Sequence, residues 1–179
     1  WQKEMTLTNA PVLESENLIL RGPEKEHAEK VISFLLDENR SRGFGSSPDR
    51  SDAWRWFSTN VGHWHWHGYG YFMIETKLGE VAGMSGIWNP EGWPEPEVGW
   101  AVFDKFEGKS IAYEAACRAR RWAYEVLKFE TLTSGIVPEN QRSINLAKRM
   151  GARFERSYEN SFMGNEMLFR HPQPHELNG

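Results

Sequence analysis

Residues 97–115 read EVGWAVFDKFEGKSIAYEA, and the fold turns on how this stretch is read. Glu97 to Phe103 is a short apolar and aromatic run that predicts a strand. From about Ser110 to Lys128, Ile111, Ala115, Ala119, Trp122, Ala123, Val126 and Leu127 recur at helical spacing and predict one buried stripe. The small residues among them allow close packing on a sheet. Between the two, Asp104 to Ser110 delivers the chain to a helix N-terminus. Free N–H groups and the helix dipole there favour an anion such as a phosphate. Gly108 permits close backbone approach, and Lys105 and Lys109 add positive charge. The loop is not a Walker A loop, since Phe103 stands where its first glycine is needed. An ordinary strand-to-helix turn is the competing reading of the same residues.

Upstream, Leu13–Arg21 predicts a first strand and Glu24–Asp37 a helix, followed by a Gly/Ser/Pro-rich loop over Ser41–Arg50. A second helix opens at Ser51, capped by Ser or Asp, with Trp54, Phe57, Val61 and Trp64 on one face. Tyr69–Thr76 and Val81–Trp88 read as strands joined at Leu78-Gly79, and Asn89–Pro96 as a loop. Downstream come a strand over Thr131–Val137, a helix over Gln141–Met150 closed by Gly151, and strands over Arg153–Tyr158 and Glu166–Arg170. The order β-α-α-β-β-β-α-β-α-β-β predicts a mixed α/β (α+β) sheet. Residues 12–170 are expected to form one domain, with tails at 1–11 and 171–179. Met5 is the expected natural start, which would leave residues 1–4 foreign to it.

The chain has 179 residues, enough for one sizeable core. Its net charge of −4 argues against a nucleic-acid partner. Cys117 is the single cysteine, which rules out an internal disulfide or a Cys-based zinc site and points to a reduced, cytoplasmic setting. No run nears the ~18 apolar residues of a membrane span, so no membrane partner is expected. Nine tryptophans suit either a lined pocket or a Trp-rich core.

Three segments carry a family resemblance: LESENLILR (13–21), EGKSIAYEA (107–115) and PENQRSINLAKRMGARF (138–154). Together they resemble the GNAT superfamily of acyl-CoA-dependent N-acetyltransferases, in its RimJ/RimL-like branch. The resemblance implies a strongly twisted, mostly antiparallel sheet of about seven strands flanked by about four helices. It also implies acetyl-CoA as co-substrate without a metal, and direct attack by a primary amine in a ternary complex. The acceptor would be a protein N-terminus or a small-molecule amine, and the protein a monomer or homodimer.

The family's pyrophosphate motif, Gln/Arg-x-x-Gly-x-Gly/Ala, falls on Glu107, Gly108, Lys109, Ser110, Ile111 and Ala112. Glu107 replaces Gln or Arg, and a carboxylate facing a diphosphate repels it. Ser110 replaces the first Gly and strains a backbone that glycine tolerates. Lys105 and Lys109 are expected to compensate. By the same resemblance, main-chain groups of Trp100, Ala101 and Val102 meet pantetheine and the thioester carbonyl, and Asn140 binds the pantetheine arm. Asn140 also makes a good N-cap, a purely structural role. Many members carry a Tyr acid two turns after this Asn; here the position is Ala147, so Ser143 becomes the candidate to protonate the leaving thiolate. A structural Ser143 is the other reading.

Glu97 opens the strand on the acceptor side and is the first candidate for the base, with Glu95 and His67 in reserve. Alternatively, Glu97 only binds the acceptor's charge or faces solvent. Trp88 and Trp93, with Glu95 and His67, are candidates to line the acceptor pocket. Residues 63–67 read HWHWH. As a strand they would set three imidazoles on one side, a plausible zinc site. As a helix end, only His63 and His67 share a face. The helix is the better fit to the Trp54–Trp64 pattern. A non-catalytic ligand- or CoA-binding module on the same fold, its cofactor loop impaired at Glu107 and Ser110, is the competing function.

Overall fold

The structure, a computed structural model, describes residues 5–177; the expectation about residues 1–4 lies outside them. Eight strands form one sheet: β1 (Leu13–Glu14), β2 (Leu18–Arg21), β3 (Tyr71–Thr76), β4 (Val81–Trp88), β5 (Glu97–Val102), β6 (Thr133–Ile136), β7 (Arg153–Asn160) and β8 (Gly164–Arg170). Their spatial order is β1-β2-β3-β4-β5-β6-β8-β7. Every neighbouring pair is antiparallel except β5–β6. The helices are α1 (Ala28–Leu36), α2 (Glu38–Ser41), α3 (Arg50–His67), α4 (Ile111–Glu125), α5 (Gln141–Arg149) and α6 (Pro174–Leu177).

β3 is covered on both faces, which is why Tyr71–Ile74 reads as an unbroken apolar run. Phe72 and Ile74 face α4 and its stripe of Ala115, Ala119 and Trp122. Tyr71 and Met73 face α1 and α3, with Phe57 and Leu35. Trp64 is fully buried at the end of α3, meets Phe72 edge-on at 4.8 Å, and donates its indole N–H to Tyr71 O at 3.0 Å. Burying such a side chain contributes roughly 2–3 kcal/mol. A smaller core under α5 joins Ile136, Ile144, Ala147, Ala152 and Phe169.

The structure corrects several expected elements. The first strand is two, because Glu114 of α4 accepts from the Ser15 hydroxyl, from Asn17 N (2.9 Å) and from Asn17 Nδ2 (2.8 Å), holding a turn between them. The first helix begins as a 3-10 turn, Lys25–His27, where Glu24 N–H donates to His27 Nδ1 at 2.9 Å. Trp54 is exposed, and the inner face of α3 is Ala53, Phe57, Asn60 and Trp64. Asp49 caps α3, accepting from Asp52 N at 2.8 Å. α4 ends at Glu125, so Val126 lies beyond it and is exposed. At the chain ends, Thr8 and His171 are buried, so the ordered body includes residues placed in the expected tails.

The parallel pair β5–β6 is joined at one position, Glu97 with Thr133. Beyond it, side chains fill the gap where main-chain rungs would run. Ser134 Oγ donates to Val98 O at 2.6 Å. Having donated its only proton, Ser134 accepts from His171 Nε2–H at 2.8 Å. His171 Nδ1 then accepts from Arg120 Nη1 at 3.0 Å, and Arg120 also donates to Met150 O at 2.8 Å. The chain fixes a neutral His171, whose pKa burial and the Arg120 charge push down to about 3.

Two outcomes follow from this relay. Ser134→Ala leaves the Val98 carbonyl and the His171 N–H unpaired, and should cost about 1–3 kcal/mol in a urea melt. The unfolded His171 binds a proton near pH 6.5 that the folded one refuses until about pH 3. This group's stabilisation is therefore present above pH 6.5 and lost as the pH falls toward 3. Denaturation midpoints measured across that range should fall on acidification, and less so in His171→Gln.

Candidate active site

Past the Glu97–Thr133 pair, β5 and β6 diverge, and two cavities meet in the gap. The smaller, about 490 Å³, has Glu97 and Glu166 among its walls, with Trp56, Trp88, Trp93 and Tyr71 around them. The larger, about 750 Å³, runs between β5, the N-terminus of α4 and α5.

In the smaller cavity, Glu97 is half-buried. Its Oε2 accepts from Gly135 N at 2.8 Å and its Oε1 from the Trp93 indole N–H at 2.9 Å. Burial and the nearby Glu166 carboxylate outweigh these donors and raise its pKa to about 7. Glu166 accepts from the Tyr158 hydroxyl at 2.7 Å, and burial raises its pKa as well. Gly135 separates the two carboxylates. A Cβ there would stand 3.0 Å from Glu166 Oε1 and 3.3 Å from Glu97 Oε2, and would strike the Tyr158 hydroxyl. Burial, with the Glu97 and Glu166 charges, also holds the Tyr71 phenol in its neutral form.

Trp88 is braced from behind by His63, stacked on it at 4.5 Å and 16°. His63 Nε2 accepts from Asn89 N at 2.9 Å, so its Nδ1–H donates to Tyr69 O at 2.6 Å. Burial holds this ring neutral, with its pKa lowered to about 4. His67 does not reach the cavity; it stacks on Tyr69 at 5.1 Å. His65 lies exposed against Leu7 O at 2.7 Å. The helical geometry of α3 thus overturns the strand reading of HWHWH, in which all three imidazoles converge. Glu95 is likewise outside the cavity, held by Nη1 and Nη2 of Arg170 at 2.7 and 2.8 Å.

The larger cavity is bounded by Trp100, Ala101 and Val102 of β5 and by Glu107, Gly108, Ser110, Ile111 and Ala112. Gly108 has φ +75°, and nothing lies within 4 Å of a Cβ placed there. Ser110 caps α4 in the left-handed region, φ 58° and ψ 19°. Lys105 and Lys109 do not line this cavity. Lys105 Nζ pairs with Glu80 at 3.1 Å, and the Lys109 ammonium lies 5.8 Å from the Phe106 ring. Arginines carry the positive charge instead: Arg40, Arg42, Arg142 and Arg149. Glu107 lies between two of them, its Oε1 on Arg40 (2.5 Å) and its Oε2 on Arg142 (2.8 Å).

Trp100, Asn140 and Ser143 line both cavities. Asn140 caps α5, its Oδ1 accepting from Ser143 N at 3.2 Å. The Trp100 indole N–H donates to Ser143 Oγ at 3.1 Å. That bond uses a lone pair of the hydroxyl and leaves its proton for a group at the junction. Ala147, where the family's acid would stand, is fully buried in the core under α5.

The sequence reading missed Glu166, Tyr158, Arg40 and Arg149, and passed over the charge of Arg142 inside a motif it had quoted. Glu166 left a signal: it falls in alternation with Leu168, which sets a carboxylate on an inward face. Arg40 left none, since α2 is one turn long.

A family model described as an acetyltransferase (GNAT) domain matches residues 17–153. The chain is similar to a solved acetyltransferase structure from Agrobacterium tumefaciens, with 31% identity, a TM-score of 0.85, and coverage of 96% of this chain and 99% of that one. It is 23% identical over 145 residues, 76% of this chain and 78% of the other, to a Bacillus subtilis protein named as a candidate ribosomal N-acetyltransferase. It also shares its fold with a spermidine N-acetyltransferase from Vibrio cholerae solved with CoA and spermine, at 16% identity, a TM-score of 0.74, and coverage of 92% of this chain and 100% of that one.

Ser110→Gly relieves a left-handed residue on an exposed loop. It should raise the denaturant midpoint by the equivalent of up to about 1 kcal/mol. A lowered midpoint would mean that the Arg149 contact to Ser110 Oγ outweighs the backbone cost.

Proposed function

The chain belongs to the GNAT acetyltransferase family, and we propose that it transfers the acetyl group of acetyl-CoA to a primary amine held in the aromatic-walled cavity. The carrying observation is the junction. A cationic cleft at a helix N-terminus meets a carboxylate-bearing aromatic cavity at Ser143 and Trp100. The donor set of the cleft fits the co-substrate: free amides at the start of α4, four guanidiniums, and a β5 edge that β6 has left without ladder partners. Bound there, acetyl-CoA supplies an activated thioester carbonyl.

Glu97 takes a proton from the acceptor's ammonium and frees the nitrogen lone pair for the carbonyl carbon. As the C–S bond breaks, the Ser143 hydroxyl gives its proton to the departing thiolate. The second amine proton passes to the Ser143 oxygen as the amide forms and restores the hydroxyl. Trp100, Ala101 and Val102 position the pantetheine arm and the carbonyl through main-chain groups, and Asn140 binds the arm from α5. Trp56, Trp88 and Trp93 line the cavity that would hold the cation, and Glu166 offers a second carboxylate there.

The acceptor is the amine of a small molecule or a protein N-terminus. Relatives named for ribosomal proteins and for spermidine support both classes. The proposed setting is the cytoplasm; among the described residues no helix is long and apolar enough to cross a membrane. The competing reading, a non-catalytic module, draws on Glu107 and Ser110 and demands ligand binding without turnover.

Calorimetric titration with acetyl-CoA, then thiol release with a panel of amines, separates the two. No binding at millimolar acetyl-CoA overturns the proposal. Binding without thiol release favours the module. Below pH 7 a protonated Glu97 accepts nothing, so kcat/KM should fall on the acid side of a break near 7. Glu97→Gln should lose about 10²-fold or more above pH 7 and lose that break. Ser143→Ala should lose roughly 10²-fold at every pH, and wild-type rates in either variant would remove its assignment.

A further inference from the structure

Glu107 stands where a carboxylate should hinder a diphosphate, yet its surroundings give it a use. Each of its oxygens takes a different guanidinium, Arg40 from α2 and Arg142 from α5. Arg40 also pairs with Asp104. Arg149 of α5 lies 3.8 Å over the Tyr113 ring and donates to Ser110 Oγ at 3.3 Å. Arg40, Arg142 and Arg149 all border the cavity at the start of α4, while Lys105 and Lys109 do not. Two of the four arginines that border this cavity are therefore already bridged by an internal anion.

The bridge is not needed to shape the loop. Phe106 is buried, Phe106 N–H donates to Phe103 O at 2.9 Å, and Glu107 N–H donates to Asp104 O at 3.3 Å. These hold the turn without the Glu107 side chain. That side chain is 31% exposed, so it has a path to water when displaced.

On the premise that acetyl-CoA is the co-substrate, we propose that Glu107 is a stand-in anion. Arg40 and Arg142 are phosphate ligands of the cofactor's nucleotide half. Glu107 holds them toward the cavity in the cofactor-free protein and releases them when the phosphates arrive. A guanidinium fork suits phosphate oxygens as well as carboxylate oxygens, and the diphosphate brings more charge than the one carboxylate it displaces. The exchange keeps both arginines paired in each state. Affinity is lower than the arginines alone would give, because Glu107 competes for them.

Calorimetry with two probes tests this: coenzyme A, and pantetheine, which carries no phosphate. Glu107→Gln should bind coenzyme A about 5–10-fold more tightly than wild type, with pantetheine binding unchanged. Arg142→Gln should bind coenzyme A at least about 10-fold more weakly, again with pantetheine unchanged. Equal or weaker coenzyme A binding by Glu107→Gln would make Glu107 a latch and overturn the inference, leaving the acetyltransferase reading in place. Unchanged binding by Arg142→Gln would also overturn it. If neither wild type nor Glu107→Gln binds coenzyme A, the reading beneath the inference falls with it.

Discussion

Two parallel strands that start to pair and then stop give this protein its site. β5 and β6 share one rung, Glu97 with Thr133. The next positions of the pair are served by side chains: Gly135 N–H of β6 by the Glu97 carboxylate, Val98 O of β5 by the Ser134 hydroxyl. A carboxylate and a hydroxyl take more room than a main-chain rung, so the strands part. The wedge is stable because its buried polar atoms are paired, back through His171 to Arg120 and the Met150 carbonyl. Both cavities open from that separation. Glu97 thus displaces a ladder bond, and burial at the same place raises its carboxylate pKa to about 7.

Much of the fold was legible where one element speaks for itself. The stripe on α4, the unbroken run of β3, and the Asn140 cap with Ser143 at its third position are local patterns with local causes. One misreading has a distant cause, and two lie where the local pattern is weak. β1 and β2 are separate because Glu114, far along the chain, holds Ser15 and Asn17. Trp54 looked like the start of the inner face of α3, but Ala53 takes that place, and an alanine carries little signal in a hydrophobic pattern. Val126 matched the stripe and lies beyond the helix that would have buried it.

The candidate site divides the same way. Trp88, Trp93, Glu97, Trp100, Asn140 and Ser143 were all readable from motif and position, and they border the two cavities. The sign of the charge around the loop before α4 was also readable, but not its bearer. Spacing cannot say where a lysine in a 3-10 turn points, and Lys105 turns to Glu80. Arg40 comes from a one-turn helix, 67 residues upstream of Glu107. HWHWH, the most conspicuous string in the chain, proved to be masonry: His63 braces Trp88, Trp64 fills the core, and His67 leans on Tyr69.

Trp93 touches both the rim and the floor of the smaller cavity. Its ring sits 5.7 Å from Phe162, at the tip of the β7–β8 hairpin, while its N–H holds Glu97. The loop that carries it is rich in proline and glycine, and Gly92 beside it lies against Ser161 of the same hairpin tip. Withdrawing Trp93 removes one of the two donors that favour the ionised carboxylate, and the pKa of Glu97 must rise. By linkage, ionising Glu97 must in turn draw Trp93 inward. The position of Trp93 and the proton affinity of Glu97 are thus coupled: seating the indole lowers that affinity and raises the ionised fraction of the carboxylate near pH 7.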